Sequence, residues 1–485
     1  MAQRDGQGIS YPTANAAGIQ LYDKIVREMS WFQAAVFETI EAAIAANPTF
    51  GMPYFAKAYL NLYMTEPQFR DVAVDAMRAL RATIEIDRLG VVEQAHARAI
   101  DSWIAGDLKR ACETLDRIGF EEPREILALR VGHEMDFFAG ETRNLRDRVA
   151  RQLPSWSPTD PHYGIVLGAY AFGLEENGNY DQAEVVGRQA LEFNRADAWA
   201  VHAVAHTMEM RGYTGEGIRF MTDRVQDWAE NNLFAAHNWW HTALFHLDSG
   251  DPDAALRIYD ASIFNDASIT VALVMLDASS ILWRMHVEGL DVSSRARPLA
   301  AEWRRILPEQ PYYLFNDMHA SMAHVAAHDL TGAAEVVARI DRYLKDGDDG
   351  TNTFHIARSL GRPICQAILE FGQGRYAQCV ATLYEIRQRA SELGGSLAQR
   401  DVLDRTILAA AILGNLRFVA RALASERISL KASNPSNWRR YAEVLMLNGV
   451  PERDVRRATE TASRLTASAR LQARKSTPAD GRAQF

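Results

Sequence analysis

Apolar side chains recur at helical spacing along almost the whole chain, and the alternating pattern of a half-buried strand is nearly absent. Glycine interrupts the helical segments at steps of 34, 38, 34 and 38 residues, and later at steps of 40 and 35 residues. These glycines are Gly106, Gly140, Gly178, Gly212 and Gly250, and then Gly374, Gly414 and Gly449. A glycine repeated about every 34 residues is typical of tetratricopeptide-like helical hairpins, which stack because no hairpin can bury its apolar stripe alone. The sequence therefore predicts an all-α fold in which tetratricopeptide-like hairpins form a right-handed superhelical solenoid.

The composition divides the chain into three regions. Residues 1–16 are polar and rich in glycine and alanine, and we expect a flexible N-terminal arm there. Residues 17–466 show no break in composition, which predicts a single helical-repeat domain. Residues 467–485 lose the helical periodicity and gain Ser, Thr, Pro, Gly and Arg, which predicts a disordered C-terminal tail.

Two predicted helices in the middle of the chain carry titratable side chains where an ordinary packed helix would be apolar. In the first helix, His202, His206 and Glu209 lie at positions i, i+4 and i+7, which form one stripe at 3.6 residues per turn. In the second helix, His237 and His241 also share a stripe. Because the second pair follows the first by 35 residues, about one repeat, we expect the two stripes to be neighbours in the concave groove.

Three interpretations of this histidine–glutamate cluster stay open. Imidazole and carboxylate groups from adjacent helices can bind a divalent metal such as zinc, and they can act as general acid and base without a metal. The third interpretation is a buried hydrogen-bonded network that only fixes the stacking of the repeats. Nine of the 13 histidines lie within residues 202–328, and such clustering indicates either mutual hydrogen bonding or function.

The predicted site combines this cluster with polar and aromatic positions from other helices. The predicted catalytic residues are His206, Glu209, His237 and His241. The predicted substrate-binding residues are His202, Trp240, Tyr170, Asn316, Asp317 and His319. A metal ion would take its ligands from His202, His206, Glu209, His237 and His241. Core packing is the competing explanation for Trp240, and a helix N-cap is the competing explanation for Asp317.

Charge and composition narrow the expected partners and location. The net charge of −9 argues against a general nucleic-acid surface and gives no support for an anionic-membrane surface. No run reaches the ~18 apolar residues of a membrane span, and the apolar run of residues 270–283 is interrupted by Asp277. The three cysteines show no pairing pattern and the N-terminus has no apolar signal core, so we expect a cytoplasmic protein without nucleic-acid or membrane partners.

Five segments together resemble the tetratricopeptide-repeat protein 38 family, over about residues 20–460. They are Tyr163–Gly178, His206-x-x-Glu209, His237-Asn-Trp-Trp-His241, Phe315-Asn-Asp-Met-His319 and Gly394-Gly-Ser-x-Ala-Gln-Arg-Asp401. The chain departs from the family pattern at Leu397, where a histidine is common, so any ligand contact made by that histidine would be lacking. The resemblance implies an all-helical repeat fold and a soluble protein, and it implies no particular activity.

Two functions of different classes fit these observations. The first is an enzyme or small-molecule receptor with its site in the concave groove, where hydrolysis or elimination would proceed by acid–base chemistry with or without a metal. The second is a non-catalytic scaffold that binds a peptide or protein in that groove, either as a monomer or as a homodimer. The histidine, glutamate and aromatic residues of the predicted groove favour the enzyme, since peptide-binding arrays often present Lys, Arg and Asn ladders there. Phosphate-binding glycine loops, Gly-x-Ser-x-Gly and Cys-x-x-Cys motifs are absent from the sequence.

Overall fold

The computed structural model describes residues 3–265 and 270–474. Within these ranges the chain forms 26 α-helices and one small β-hairpin. The hairpin strands are β1 (Gln3–Arg4) and β2 (Ser10–Tyr11), which pair antiparallel. The first ten helices are α1 (Ala16–Ser30), α2 (Val36–Ala46), α3 (Gly51–Leu62), α4 (Pro67–Thr83), α5 (Val91–Ile104), α6 (Leu108–Glu121), α7 (Ile126–Phe138), α8 (Thr142–Gln152), α9 (Tyr163–Glu176) and α10 (Tyr180–Phe193).

The remaining helices form the centre and the C-terminal part of the molecule. The central helices are α11 (Ala198–Arg211), α12 (Thr214–Thr222), α13 (Val225–Trp228), α14 (Ala235–Ser249), α15 (Pro252–Ile258), α16 (Ala272–Val287), α17 (Ser293–Ile306), α18 (Leu314–Ala326) and α19 (Leu330–Asp346). The last helices are α20 (Asn352–Ile356), α21 (Arg362–Gly372), α22 (Tyr376–Ile386), α23 (Leu397–Leu413), α24 (Arg417–Leu430), α25 (Pro435–Leu447) and α26 (Glu452–Arg474). None of the helices in the described ranges combines the length and the apolar character that crossing a bilayer requires.

The predicted fold class is confirmed: successive helices pack as hairpins in an all-α superhelical solenoid. The recurring glycines lie between the two helices of a hairpin, and seven of the eight adopt a positive φ that an L residue rarely takes. At two hairpins another residue takes the left-handed conformation, namely His328 (φ 61°) and Asn415 (φ 55°). This substitution explains why the glycine pattern becomes less regular after Gly250.

The N-terminal region differs from the predicted flexible arm. Residues 3–11 form the β-hairpin, and Tyr11 is fully buried, with its ring 5.7 Å from that of Tyr22 and 5.3 Å from that of Phe50. Asp5 accepts hydrogen bonds from the backbone N–H groups of Gln7 and Ile9, which fix the turn. Tyr11 explains the difference between the predicted and the observed structure. Burying the apolar surface of this one large side chain holds the short polar segment against the core.

The C-terminal end is also more ordered than predicted. Helix α26 continues through Arg474, so residues 467–474 of the predicted disordered tail are helical. This end packs against α12 so closely that a Cβ on Gly215 would collide with the backbone of Ala469. The other tail residues, 475–485, lie outside the described residues, as do residues 1–2 of the predicted arm.

Hydrogen bonds join hairpins that are far apart in the sequence. The backbone N–H of Leu233 donates to the carbonyl oxygen of Phe32 at 2.7 Å, and that of Ala272 donates to Glu66 Oε1 at 2.8 Å. The Asn316 side chain donates to the carbonyl oxygen of Thr65 at 3.1 Å. The N-terminal hairpins are thereby bonded to the central ones.

Candidate functional site

The two helices that carry the histidines, α11 and α14, begin and end at well-defined residues. Asp197 caps α11 by accepting hydrogen bonds from two backbone N–H groups at 3.0 Å, and Gly212 and Gly250 end the two helices in the left-handed conformation. Asn232 has a side chain suited to capping, but it lies three residues before the first residue of α14, Ala235, and does not cap the helix. Asn232 instead accepts from the Phe234 N–H and donates to the carbonyl oxygen of Trp31, which ties α14 to the N-terminal repeat.

The four histidines of these helices form one compact cluster. The ring of His206 lies 4.3 Å from that of His202 and 4.5 Å from that of His241, measured between centroids. The ring of His237 lies 5.0 Å from that of His202 and 4.9 Å from that of His241. Each ring contributes one nitrogen to a group of four that lie within 4.8 Å of one another. The sequence-predicted neighbourhood of the two stripes is therefore present in the structure.

Three of the imidazoles are paired on their outer side with a carboxylate. His206 Nδ1 lies 3.2 Å from Glu175 Oε2. His241 Nδ1 lies 2.8 Å from Glu209 Oε2, and His237 Nδ1 lies 2.8 Å from Asp277 Oδ2. These pairs direct the Nε2 atoms toward the centre of the cluster. Among the described residues no group hydrogen-bonds the buried Nε2 atoms of His206 and His241.

Burial favours the uncharged form of three of the four imidazoles. It lowers the pKa of His206 to about 4 and holds those of His202 and His241 well below the ordinary value. Burial also raises the pKa of Glu175 to about 8, so this carboxyl group holds a proton at neutral pH. A cation at the centre of the cluster would favour loss of that proton, while neutral imidazoles are the form that binds a metal.

A cavity of about 200 Å³ adjoins one side of the cluster. His202, His237 and Asp277 lie in its wall, and His206 and His241 lie behind them. Aromatic and aliphatic side chains make up most of the remaining wall, and the aromatic ones include Phe32, Phe37, Phe137, Phe138, Trp199 and Phe234. The other polar lining residues are Tyr63, Glu134, Tyr313, Ser396 and Gln399. The structure thus places a polar cluster at the edge of an apolar chamber.

Glu209 and Trp240 both lie near the cluster but outside the cavity wall. Glu209 contacts His241 from behind and is absent from the group of four converging nitrogen ligands. Trp240 is fully buried, with its ring stacked on His237 at 5.2 Å and the Arg284 guanidinium 5.4 Å from its ring centroid. Their positions support the histidines and do not offer a direct contact to a molecule in the cavity.

The four other predicted substrate-binding residues do not line the cavity. Asn316 bonds Thr65, Asp317 forms a buried ion pair with Arg339, and His319 donates to its own helix at the carbonyl oxygen of Phe315. Tyr170 packs against the hydrophobic core on the N-terminal side. The bonds of Asn316, Asp317 and His319 therefore join α18 to other segments or to its own backbone.

The fold brings to the site several residues that the sequence pattern did not identify. Asp277 and Glu175 pair with His237 and His206, and Trp199 and Tyr63 line the cavity. Asp277 carried a usable signal, because a single carboxylate inside the apolar run of residues 270–283 needs a partner once it is buried. Tyr63 carried no such signal, because it lines the cavity only where hairpins that are distant in the sequence come together.

The buried His319 gives a test of how the core responds to acid. Burial lowers the pKa of His319 to about 3, while an unfolded histidine titrates near 6.5. The unfolded chain therefore binds a proton that the folded one does not, and stability falls as the pH drops below 6.5. We expect the difference in unfolding free energy between the wild type and His319→Gln to shrink by about 2 kcal/mol from pH 7 to pH 5, measured by urea unfolding. The difference for His355→Gln, at an exposed histidine, should stay constant, and an equally constant difference for His319→Gln would contradict the expectation.

No model of a known protein family matches the chain. Among solved structures, the chain is similar to human IFIT1, solved as a dimer with PPP-AAAA, at 12% identity and a TM-score of 0.40, covering 93% of this chain and 95% of that one. It is also similar to a tetratricopeptide repeat protein from Parabacteroides merdae at 13% identity and a TM-score of 0.29, covering 65% of this chain and 98% of that one. The tetratricopeptide domain of P58(IPK) matches at 14% identity and a TM-score of 0.22, covering 78% of this chain and 99% of that one. These TM-scores lie below 0.5, so the likenesses carry no argument about what this chain binds.

Proposed function

We propose that this protein is a metal-dependent enzyme that transforms a small molecule in the cavity beside its histidine cluster. The metal would be a divalent transition ion such as zinc, held by His202, His206, His237 and His241. The observation that carries the proposal is the set of three outer carboxylates, which pair with Nδ1 of three rings and leave nitrogens converging on one point. Metal-ligating histidines almost always bond a carboxylate, carbonyl or water in this way.

The dimensions of the cluster fit a metal after a small adjustment. Zinc–imidazole bonds are about 2.0–2.1 Å long, so ligand nitrogens around one ion lie closer together than the 4.8 Å limit observed here. Inward movement of the rings by about 1 Å would complete the site, within the reach of ordinary side-chain rotation. The uncharged forms favoured at His202, His206 and His241 and the orphaned Nε2 atoms of His206 and His241 support such a rearrangement.

Residues of this chain can be given roles in hydrolysis or elimination. A bound metal would supply Lewis acidity toward a substrate oxygen or would lower the pKa of a bound water. Asp277 is the best placed general base, because it lines the cavity and its Oδ1 has no hydrogen-bond partner among the described residues. Glu209 and Glu175 would orient His241 and His206, so the acid–base role predicted for Glu209 passes to Asp277 in this proposal.

The alternative of a peptide-binding scaffold requires an accessible groove. The bonds that join Phe32 to Leu233 and Glu66 to Ala272 connect distant hairpins beside the cavity. What stays beside the histidines is a chamber of about 200 Å³, which suits a small molecule better than an extended peptide. Of the two functions that the sequence allows, the geometry therefore favours an enzyme over a peptide-binding scaffold.

Cobalt spectroscopy tests whether the protein binds a metal at the cluster and whether the bound metal can accept a further ligand from the cavity. Chelator-treated protein should bind one Co²⁺ with visible absorption bands, and azide should change those bands because the cavity side leaves a coordination position accessible. His206→Ala and His241→Ala should each abolish the bands, whereas His286→Ala, at a histidine outside the cluster, should retain them. Bands that persist in both cluster variants would overturn the metal site, and bands insensitive to azide would overturn the catalytic role.

Three narrower assignments belong to this proposal. Membership of the tetratricopeptide-repeat protein 38 family rests on the sequence motifs around the same helices, α9, α11, α14, α18 and α23. A cytoplasmic location agrees with the three free, buried cysteines. The third assignment is a homodimer as an alternative to a monomer, and the roles proposed above use residues of a single chain.

A further inference from the structure

The cavity wall has a charge pattern that limits what it can hold. Among the described residues that line it there is no lysine or arginine. The two carboxylates of the wall, Glu134 and Asp277, would repel an anion. Burying a phosphate or another multiply charged anion here would leave most of its charge uncompensated, which is strongly unfavourable.

Most polar groups of the wall already have partners inside the protein. Ser396 and Gln399 bond each other's backbone N–H groups in a capping box at the start of α23. Glu134 forms an ion pair with Arg130. The groups left for a ligand are therefore the histidine side of the cavity and four atoms that have no hydrogen-bond partner in the described ranges: Asp277 Oδ1, the hydroxyls of Tyr63 and Tyr313, and Trp199 Nε1.

The outer part of the cavity is apolar and reaches solvent. Phe37 and Leu233 line the cavity and are 45% and 42% exposed, which is unusual for large apolar side chains. They come from the two segments that meet where Phe32 stacks on Phe234, with ring centroids 4.6 Å apart. An apolar molecule could therefore pass from solvent to the histidines along a continuous apolar surface.

We propose, building on the metal-dependent function above, that the substrate is a neutral and mainly apolar small molecule that directs one oxygen or nitrogen atom at the histidine cluster. An aromatic or short alkyl body would fill the space between Trp199, Phe234 and the exposed mouth. The polar atom of the substrate would lie beside His237, a proposed metal ligand, and Asp277, the proposed general base. Phosphorylated metabolites and nucleotides are disfavoured, because a bound divalent ion would offset only part of a dianion's charge beside Asp277, in a wall without lysine or arginine among its described residues.

A matched pair of probes tests this substrate class. We would titrate the Zn²⁺-loaded and the metal-free protein with 4-phenylbutan-1-ol and with its phosphate monoester, and measure binding by calorimetry. We expect the alcohol to bind both protein forms, and the phosphate to bind each at least 10-fold more weakly. A phosphate that binds as tightly as the alcohol, or an alcohol that does not bind, would overturn the inference.

Variants of the wall show whether the probe occupies this cavity. Ala236→Phe places a ring inside the cavity, and we expect it to weaken alcohol binding at least 10-fold while Zn²⁺ binding is unchanged. Ala235→Phe, on the same helix but outside the lining, is the control and should bind the alcohol like the wild type. Val274→Phe also places a ring inside the cavity, but from helix α16. It is the substitute if Ala236→Phe does not fold. Alcohol binding that is unaffected by filling the cavity would contradict the assignment.

The outcomes separate the two proposals. Zn²⁺ binding without alcohol binding would overturn the substrate class and leave the metal centre. Alcohol binding without Zn²⁺ binding would overturn the metal-dependent function and leave an apolar ligand site.

Discussion

Zn²⁺ at a free concentration 100-fold above its Kd is expected to stabilise the folded protein by about 3 kcal/mol, because a ligand that binds only the folded state adds its binding free energy to that of folding. Metal binding should stabilise the cluster, because in the metal-free protein the buried Nε2 atoms of His206 and His241 have no hydrogen-bond partner among the described residues. Urea unfolding with Zn²⁺ and with chelator measures the difference. In His241→Asn the zinc-dependent stabilisation should disappear, and in Glu209→Gln it should be smaller because a weaker outer partner lowers metal affinity by about 10- to 100-fold.

The same variants distinguish a functional cluster from a purely structural network. If the cluster only fixes the packing of α11 on α14, truncating one histidine leaves its carboxylate unsatisfied and costs roughly 1–3 kcal/mol without any metal. If the cluster is a metal site, the metal-free variants should lose little stability, because functional groups are often held against the stability of the fold. His286→Asn controls for the general effect of replacing a partly buried histidine. A zinc effect of equal size in His241→Asn would contradict the expectation.

The fold was largely predictable because its main signal is local. Most hairpins repeat a glycine between two amphipathic helices, and the physical reason for that glycine, a left-handed residue at the turn, is the same at seven of the eight recurring glycines. Prediction failed where one residue decides the outcome. Tyr11 anchors a segment whose composition is otherwise typical of a loose arm, and His328 replaces glycine at a turn although its side chain makes that conformation unfavourable.

The candidate site was predictable only along single helices and between neighbours. Stripe spacing found His202, His206, His237 and His241, because i, i+4 positions share a helix face and adjacent repeats lie side by side. The same reasoning misplaced Asn316 and His319, because a polar stripe on α18 is satisfied by Thr65 and by the helix backbone. Which distant hairpin closes over which helix depends on the superhelical path, and helix periodicity contains no information on that path.

Asp401→Ala is expected to cost about 3–5 kcal/mol of unfolding free energy, the typical penalty for leaving buried charges without their partner. Asp401 accepts hydrogen bonds from Arg405 Nε at 2.8 Å and from Arg427 Nη1 at 2.9 Å, and each of these three side chains is less than 10% exposed. Arg405 also donates to Asp248 at 2.7 Å, so the network joins α23 and α24 to α14, the helix that carries His237 and His241. The variant should therefore weaken the attachment of the C-terminal hairpins to the proposed site.

The effect of Asp401→Ala should not depend on pH between 5 and 8. Burial alone would raise the pKa of Asp401, but Arg427, Lys431 and Arg405 outweigh burial and hold it well below the ordinary value, so the carboxylate is ionised throughout this range. A depressed carboxyl pKa contributes stability above the unfolded value of about 3.9, and this contribution is lost only as the pH falls toward the folded pKa. Asp404→Ala is the matched control one turn further along α23, where the side chain is 44% exposed and lies 3.7 Å from Arg387, and it should cost less than about 1 kcal/mol. Equal losses in the two variants, measured by urea unfolding at pH 7, would mean that the buried network does not hold the C-terminal hairpins in place.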